Sequence, residues 1–352
     1  MIFGKKNNLV GLDIGSRTIK VSEIDLGSKG LALKKIGLLD MPDGAIVEGL
    51  IKKPEEIIFS LRELFKQYHI KERNVAISIG GNKVIVKTID VQKMSEKAFS
   101  EVMPLEAEQY IPFDIEEVNL DFHILDGSAN TSGNMQVLLV AVKKDMIEGY
   151  VELVKDAGLY PCIVDIDAFA LQNIYEAVYH DTEEQHVALI DIGAGKTSLN
   201  ILQGGVSRFM RDISSGCGQI NSKLISESGC SAEEAEAMKR GEMSTKSFRG
   251  NLNEIVKSVV AGWCSEISHA LDIYYSTYTD DRIEKIYLSG GGAQLQILHT
   301  LLAKQTETEV KKLNPFRNMR YIDKHLDTGY LQKVAPQVAI CMGLGIRRVD
   351  DK

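Results

Sequence analysis

Two segments of this 352-residue chain carry the same residue types at a long interval. Residues 9–24 read LVGLDIGSRTIKVSEI and residues 187–202 read VALIDIGAGKTSLNIL. In each, an apolar run leads into Asp-Ile-Gly, then small and hydroxyl residues, then a second strand-like run. Asp13 and Asp191 lie almost half the chain apart. An aspartate at a strand end can hold Mg²⁺ through water, because this cation keeps several waters and few protein ligands. Gly15 and Gly193 let backbone N–H groups approach a phosphate and, by permitting positive φ, close each segment as a tight hairpin. Ser16 and Thr18 in the first turn and Thr197 in the second add hydroxyl donors, and Lys20 has the reach for a β-phosphate. Two such turns facing each other would clamp a polyphosphate between two lobes, an arrangement suited to phosphoryl chemistry.

A third cluster, Gly290, Gly291 and Gly292, ends an apolar stretch where a strand meets a helix, and a base or ribose could lie flat against its backbone. The chain has no GxxxxGK[ST] segment, and no GxGxxG follows a strand, so neither the P-loop nor the Rossmann reading applies. Glu236 and Lys239, with Arg240 beside them, are three residues apart on one helix face. They read either as a solvated ion pair or as a carboxylate and an ammonium that contact ribose hydroxyls and base.

The elements that must hold these residues alternate. Pro54 opens a helix to about His69, with Ile57, Ile58, Leu61, Leu64 and Phe65 on one face. Asn74–Ile79 and Lys83–Val91 read as strands joined in a hairpin through Gly80-Gly81-Asn82. Ser95 caps a helix towards Tyr110, stopped by Pro112. Two strands follow, joined by the polar loop GSANTSGN, which is expected to be mobile. Asp145 is expected to cap a helix to Ala157, and Cys162–Ile166 forms a short strand. After a strand over Gly205–Ile213 come helices near 216–228, 231–240 and 247–279, a strand to Leu288, a helix to Lys304 and a last helix from Pro336. This alternation places the chain in the α/β class.

Composition excludes several functions. Lys and Arg number 41 against 49 Asp and Glu, a net charge of −8 without a long basic stripe, which argues against a nucleic-acid partner. No apolar run approaches the roughly 20 residues of a spanning helix, and none at the start has signal-peptide length, so a soluble, unsecreted protein is expected. Cys162, Cys217, Cys230, Cys264 and Cys341 form no CxxC pair, and the seven histidines form no HExxH pattern, so any metal should be a hard cation.

The segments LDIGSRTIK, LIDIGAGKTSL and YLSGGGAQL, in that order, resemble the phosphate-1, phosphate-2 and adenosine motifs of the actin/Hsp70/sugar-kinase ATPase superfamily. EAMKR resembles its purine-contacting helix. EAEQYIPFDIEEVNLDFHIL, DAGLYPCIVDIDAFAL and APQVAICMGLGIR resemble the PilM family of type IV pilus assembly, a relative of FtsA, along essentially the full length. The resemblance implies a two-lobed actin-like (ribonuclease H-like) α/β fold binding ATP with Mg²⁺. Asp13 and Asp191 would sit on the metal's water shell. Gly15, Ser16, Thr18 and Lys20 would face one side of the phosphates, and Gly193, Ala194, Lys196 and Thr197 the other. Gly216 resembles the first of a glycine pair beside the ribose, with Cys217 replacing the second. Where hydrolysing members position a water with Gln or Glu, this chain has Asp167, which reads equally as a helix N-cap. At most slow ATPase activity is implied.

By the same resemblance, residues 1–74, 160–186 and the terminal helix 335–352 would form subdomain 1A, residues 75–159 an FtsA-type inserted subdomain 1C, and residues 187–334 the second lobe (2A and 2B). The implied partner is the N-terminal cytoplasmic peptide of PilN, in a groove between 1A and 1C near Tyr110, Ile111 and Phe113. Pilus motor ATPases and a second copy of the chain are further implied partners. The protein would lie in the cytoplasm against the inner membrane, held there by its partner, and serve pilus biogenesis and twitching motility. The alternatives are an FtsA-like cytoskeletal protein and a sugar kinase. Against the first, Arg347 and Arg348 are offset by Asp350 and Asp351, so no basic membrane helix is expected. Against the second, no sugar-binding constellation with a catalytic aspartate is found.

Overall fold

The computed structural model describes residues 9–27, 30–125, 133–243, 251–278, 282–323, 326–349 and 351. The chain opens with β1 (Val10–Ile14), β2 (Thr18–Gly27), β3 (Gly30–Asp40), the short pair β4 (Ile46–Val47) and β5 (Leu50–Ile51), α1 (Pro54–Gln67) and β6 (Asn74–Ile79). An inserted block follows: β7 (Val84–Gln92), α2 (Glu96–Ala107), β8 (Val118–Ile124) and β9 (Asn134–Lys143). The first half ends with α3 (Lys144–Asp156), β10 (Tyr160–Ile166) and α4 (Asp167–Tyr179). The second half runs β11 (His186–Ile192), β12 (Thr197–Gln203), β13 (Val206–Ile213), α5 (Gly218–Ser228), α6 (Ala232–Arg240), α7 (Leu252–Thr277), β14 (Lys285–Ser289), α8 (Gln296–Thr306) and β15 (Glu309–Lys312). β16 (Arg320–Tyr321), α9 (Thr328–Val334) and α10 (Ala339–Gly345) complete the chain.

The internal echo is a duplicated fold unit. One sheet has the order β10-β6-β1-β2-β3-β16, the other β13-β12-β11-β14-β15. In both, an antiparallel three-strand meander is extended beside its first strand by two parallel strands, β6 and β10 on one side and β14 and β15 on the other. Both acidic turns therefore sit at the same place in their sheets, between the first two strands. β1 and β11 are central in their sheets, each between an antiparallel and a parallel neighbour, and are buried on both faces apart from half-buried His186 and Asp191.

Several expectations change in the details. β6 and β7 belong to different sheets, so Gly80-Gly81 is an exit from the first sheet and not a hairpin. β6 hydrogen-bonds between β1 and β10, and α3 buries Met146, Tyr150, Leu153 and Val154 in the core of the first sheet. The inserted block with its own sheet, β7-β9-β8, thus spans 84–143 and not 75–159. Towards the end of the second half, Leu313, Phe316 and Met319 already pack with Leu33 and Ile36 of the first sheet. Asp145 does not cap α3: Lys143 holds the cap position, and the Asp145 carboxylate pairs with Lys83 at 2.7 Å. Ser95 does cap α2, accepting from the Ala98 N–H at 3.2 Å. Pro336 lies in a 3₁₀ turn, and α10 starts three residues later. Most of the GSANTSGN loop and residues 247–250 of the long helix lie outside the described residues. All five cysteines are free.

α10 joins the halves. It lies against β1, β2 and α4, while the Pro336 carbonyl just before it accepts from Gly290 N at 2.8 Å and Ser289 Oγ at 2.9 Å in the second half. A Cβ on Gly11 would strike the Cys341 carbonyl, and one on Gly343 the Ala170 carbonyl. Ala is ordinarily better than Gly inside a helix by about 1 kcal/mol. Here a backbone clash opposes that gain, and overpacking of this kind costs about 1–3 kcal/mol or more. Gly343→Ala should therefore lower stability by about 2 kcal/mol in denaturant unfolding; an unchanged midpoint would show that α4 and α10 can separate freely.

Candidate functional site

The two acidic turns converge on one cleft. In the first, Asp13 pairs with Lys20 across the β1–β2 hairpin, and Gly15 N donates to the Thr18 carbonyl at 3.1 Å. In the second, Asp191 pairs with Ser198, and Gly193 N donates to the Lys196 carbonyl at 2.9 Å. The hairpins are as expected, but neither glycine has positive φ. Tight packing favours them instead: a Cβ on Gly15 would sit 3.0 Å from Lys20 Nζ and from the Thr18 carbonyl, and one on Gly193 3.3 Å from the Lys196 carbonyl. The turns face each other closely enough that a Cβ on Gly195 would lie 3.6 Å from Ser16 Oγ.

A charged network lines the floor. Lys20 Nζ is 3.0 Å from Asp13 Oδ2. Lys196 Nζ reaches from the second half to Asp167 Oδ2 at 2.8 Å and Asp212 Oδ2 at 3.3 Å. Asp167 accepts from Ser78 Oγ at 2.6 Å at the end of β6, and Gly81 N donates to Asp212 at 2.5 Å. Asp167 is the first residue of α4, with Ile166 at the cap and no capping bond from its side chain, so the N-cap reading gives way to a cleft carboxylate. Gly80 leaves room for this pair, since a Cβ there would displace the ends of the Lys196 and Asp167 side chains.

Burial raises the carboxyl of Asp13, against the pull of Lys20. Burial likewise pushes Asp191 up to about 6, with the charges of Asp13 and Asp167 adding to the effect and Lys20 opposing it. Burial also opposes ionisation of Asp167, but Lys196 and Ser78 outweigh it and hold this acid below the usual range. Lys196 itself is raised despite burial because Asp167 and Asp212 flank it. Two acids under-neutralised by their own protein, beside a third that is satisfied, make a floor that a divalent cation would suit. Among the described residues no three His, Cys, Asp or Glu side chains form a ready-made metal cage.

Above the floor, Gly216 is fixed by the second turn: its Cβ would lie 2.7 Å from both the Gly193 and Ala194 carbonyls. Cys217 N and Gly218 N donate to those same carbonyls at 2.9 and 2.8 Å, while the Cys217 side chain is buried in the core of the second sheet. Thr197 is 1% exposed and donates to the Ser215 carbonyl at 2.8 Å, so its hydroxyl proton is turned away from the cleft. Gly290 has φ of +80° and rides on the Ile192 backbone, and Gly292 packs on the Ile192 side chain. Only Gly291 of the three opens to space.

Glu236 is not a solvated surface acid. It is 6% exposed and gathers Lys239 at 2.6 Å, Arg240 at 2.8 Å, Asn221 at 2.7 Å and Arg17 at 3.8 Å. Burial works against its charge, but these donors win and bring it down to about 2. Arg240 also spans to Asp40 at 3.1 Å, so the rims of the two halves meet through Arg17–Glu236 and Arg240–Asp40. Asp40, Ser78, Asn221 and Asp212 carry this site without a motif of their own, and Arg17 and Gly80 lie in quoted segments without having been singled out. The one available signal was Gly80-Gly81 after an apolar strand, the same pattern as the glycines after β14.

Tyr110, Ile111 and Phe113 are largely used within the inserted block: Ile111 is 6% exposed, and Tyr110 and Phe113 pack on the same core. Lys143 lies 4.7 Å over the Phe113 ring.

A two-lobed, duplicated α/β unit with acidic turns meeting in a cleft defines an actin-like ATPase fold. Solved structures agree: the chain superposes on the ethanolamine utilization protein EutJ of Carboxydothermus hydrogenoformans at TM-score 0.57 and 14% identity, covering 96% of this chain and 89% of that one. MreB5 of Spiroplasma citri bound to AMPPNP gives 0.51 at 13% identity over 96% and 95%. Within that class, residues 11–349 match the family Type IV pilus assembly protein PilM, and the chain belongs to it. The structure titled PilM-PilN type IV pilus biogenesis complex superposes at TM-score 0.86 with 27% identity, covering 98% of this chain and 99% of that one. The cell division protein FtsA of Bacillus subtilis (strain 168) is 25% identical over 260 residues, 66% of this chain but only 57% of FtsA.

Proposed function

We propose that this pilus-assembly protein binds ATP with Mg²⁺ between its two acidic turns and docks the N-terminal cytoplasmic peptide of PilN, nucleotide state setting the angle between the lobes. The convergence of Asp13 and Asp191 on one cleft carries the nucleotide reading. The donor set fits: acids without sufficient counter-charge for the cation's waters, Lys20 and Lys196 for phosphate oxygens, and glycine backbone at both turns. Bound Mg²⁺ would neutralise phosphate charge. On this reading Ser16, Thr18, Ala194 and Gly216 line the phosphate and ribose sides, with Gly291, Lys239 and Arg240 towards the base. Asp167, a short acid held by Ser78 and Lys196, favours slow turnover.

The PilN reading rests on family membership and on the near-complete superposition with the PilM-PilN complex. Among the described residues no helix is long and apolar enough to cross a membrane, so the partner would supply attachment to the inner membrane.

Calorimetry with Mg-ATP, beside a pull-down with the PilN peptide, tests both parts. We expect saturable heat from the wild type and at least a tenfold loss of affinity in Asp13→Asn, about 1.4 kcal/mol. No adenine-nucleotide heat from the wild type would overturn the nucleotide reading. Heat without peptide capture would overturn only the partner assignment.

A further inference from the structure

α1 has two apolar stripes, and only one faces the core. Ile57, Leu61, Leu64 and Phe65 are buried, whereas Ile58 is half-buried and Phe59 is 66% exposed. Beside the second stripe runs a groove of about 400 Å³ between the end of α1, the connection to β6 and the residues after α3. Its floor is apolar, from Leu61, Phe65, Ile70, Ala157 and Leu159. Its rim is basic: Arg62, Lys66, His69, Lys71 and Arg73 line it, and no carboxylate does. In a chain of net charge −8 that is a local reversal of sign.

The cations are held so that their charge stays outward. Arg62 donates to the Asp156 carbonyl at 2.6 Å, and Arg73 donates to the Ile70 carbonyl at 2.7 Å while lying 5.5 Å from the Phe65 ring centroid. Those acceptors are neutral oxygens and a ring face, which orient a guanidinium without cancelling it. Lys66 makes only a 3.4 Å surface pair with Glu63, an interaction worth about 0–1 kcal/mol and readily exchanged. An adjoining hollow continues past Arg62 to Phe59, Ile58, Glu55 and Asp156. One end is thus purely basic, and the other is apolar with two acids.

We propose that this groove docks an acidic peptide segment of a partner protein, its carboxylates over Arg62, Lys66, Lys71 and Arg73 and an apolar side chain against Phe59 and Ile58. An anionic membrane fits less well. The basic rim lines a recess, and Glu55 and Asp156 at the far end repel a uniformly negative plane, whereas a peptide can place its charges at one end only. The site lies wholly within the first lobe, with no lining residue from the inserted block, so it does not depend on the PilN groove proposed above.

The experiment uses the full chain and a fluorescently labelled short peptide in which Asp and Glu precede Leu and Phe. An isosteric Asn and Gln version, the PilN peptide and phosphatidylglycerol vesicles form the other arms. We expect the acidic peptide to bind in low salt and to lose at least about tenfold in affinity in the Lys66→Glu/Lys71→Glu variant, since both lysines are exposed and close charge pairs at interfaces couple strongly. Phe59→Ser should weaken it severalfold, with PilN capture and the melting temperature unchanged. Equal binding of the amide peptide, indifference to charge reversal, binding to vesicles alone, or no peptide binding by the wild type would each overturn the proposal.

Discussion

Replacing Asp191 with Asn should raise the protein's stability at neutral pH and, on the nucleotide reading proposed above, abolish Mg-ATP binding. Burial and the neighbouring carboxylates lift Asp191 from 3.8 to about 6, so the folded state holds this proton more tightly than the unfolded chain does. For a raised carboxyl, stability declines as pH climbs from the unfolded value through the folded one, and then levels off. At roughly 1.36 kcal/mol per pKa unit, the ionised group costs the fold about 3 kcal/mol above pH 6. Asn removes the charge and with it the repulsion between this position and Asp13. It cannot hold the waters of a divalent cation as a carboxylate does. Thermal melts should give a variant about 2 kcal/mol more stable near pH 7, a gain of a few degrees, with the two proteins converging near pH 4. Calorimetry should show the nucleotide heat lost. A variant that melts lower at neutral pH would mean that Asp191 is a structural acid satisfied by its surroundings. That outcome would remove the main support for a cation in this cleft. Strain kept at a site for function is a common reason why stabilising substitutions cost activity.

The duplicated unit was legible because glycine and aspartate at a strand end leave a strong local trace. Asp13-Ile-Gly15 and Asp191-Ile-Gly193 therefore announced both hairpins and their equivalence. The order of strands was less accessible. β6 and β7 read as a hairpin because Gly80-Gly81-Asn82 has turn composition, and composition does not reveal that the two strands enter different sheets. β15 and β16 went unseen because four- and two-residue edge strands are too short for any periodic signal. In the cleft, residues on the glycine turns were found, and those placed by tertiary contact were not. Ser78, Asp212 and Asn221 are ordinary polar residues until the halves come together around them. Thr197 shows the opposite error: its position in the motif suggested a cleft donor, and burial turned its hydroxyl inward to Ser215.

Glu236→Gln should destabilise the protein by about 3 kcal/mol at neutral pH, the reverse of the effect at Asp191. Surface pairs such as Arg240–Asp40 are worth at most about 1 kcal/mol, so the rim contacts alone would not justify that figure. Glu236 differs because it is almost fully buried and serves Lys239, Arg240, Asn221 and, across the cleft, Arg17. Against burial, those donors carry it from 4.5 to about 2, a gap of roughly 3 kcal/mol at 1.36 kcal/mol per unit. For a depressed carboxyl the contribution is complete above the unfolded value, 4.5, and disappears as pH falls through about 2. Gln keeps the shape but leaves Lys239 without its carboxylate and Arg240 and Arg17 with only the exposed Asp40 and Asp43, so Glu236→Ala should cost at least as much. Denaturant unfolding near pH 7 and near pH 3 measures it: the gap between wild type and variant should narrow in acid. Because Arg17 belongs to the first acidic turn, losing Glu236 also frees that turn from the rim of the second half. The variant should therefore bind Mg-ATP with altered affinity even if Glu236 itself touches no nucleotide. If stability and nucleotide affinity both stay at wild-type values, Glu236 neither supports α6 nor ties the halves together.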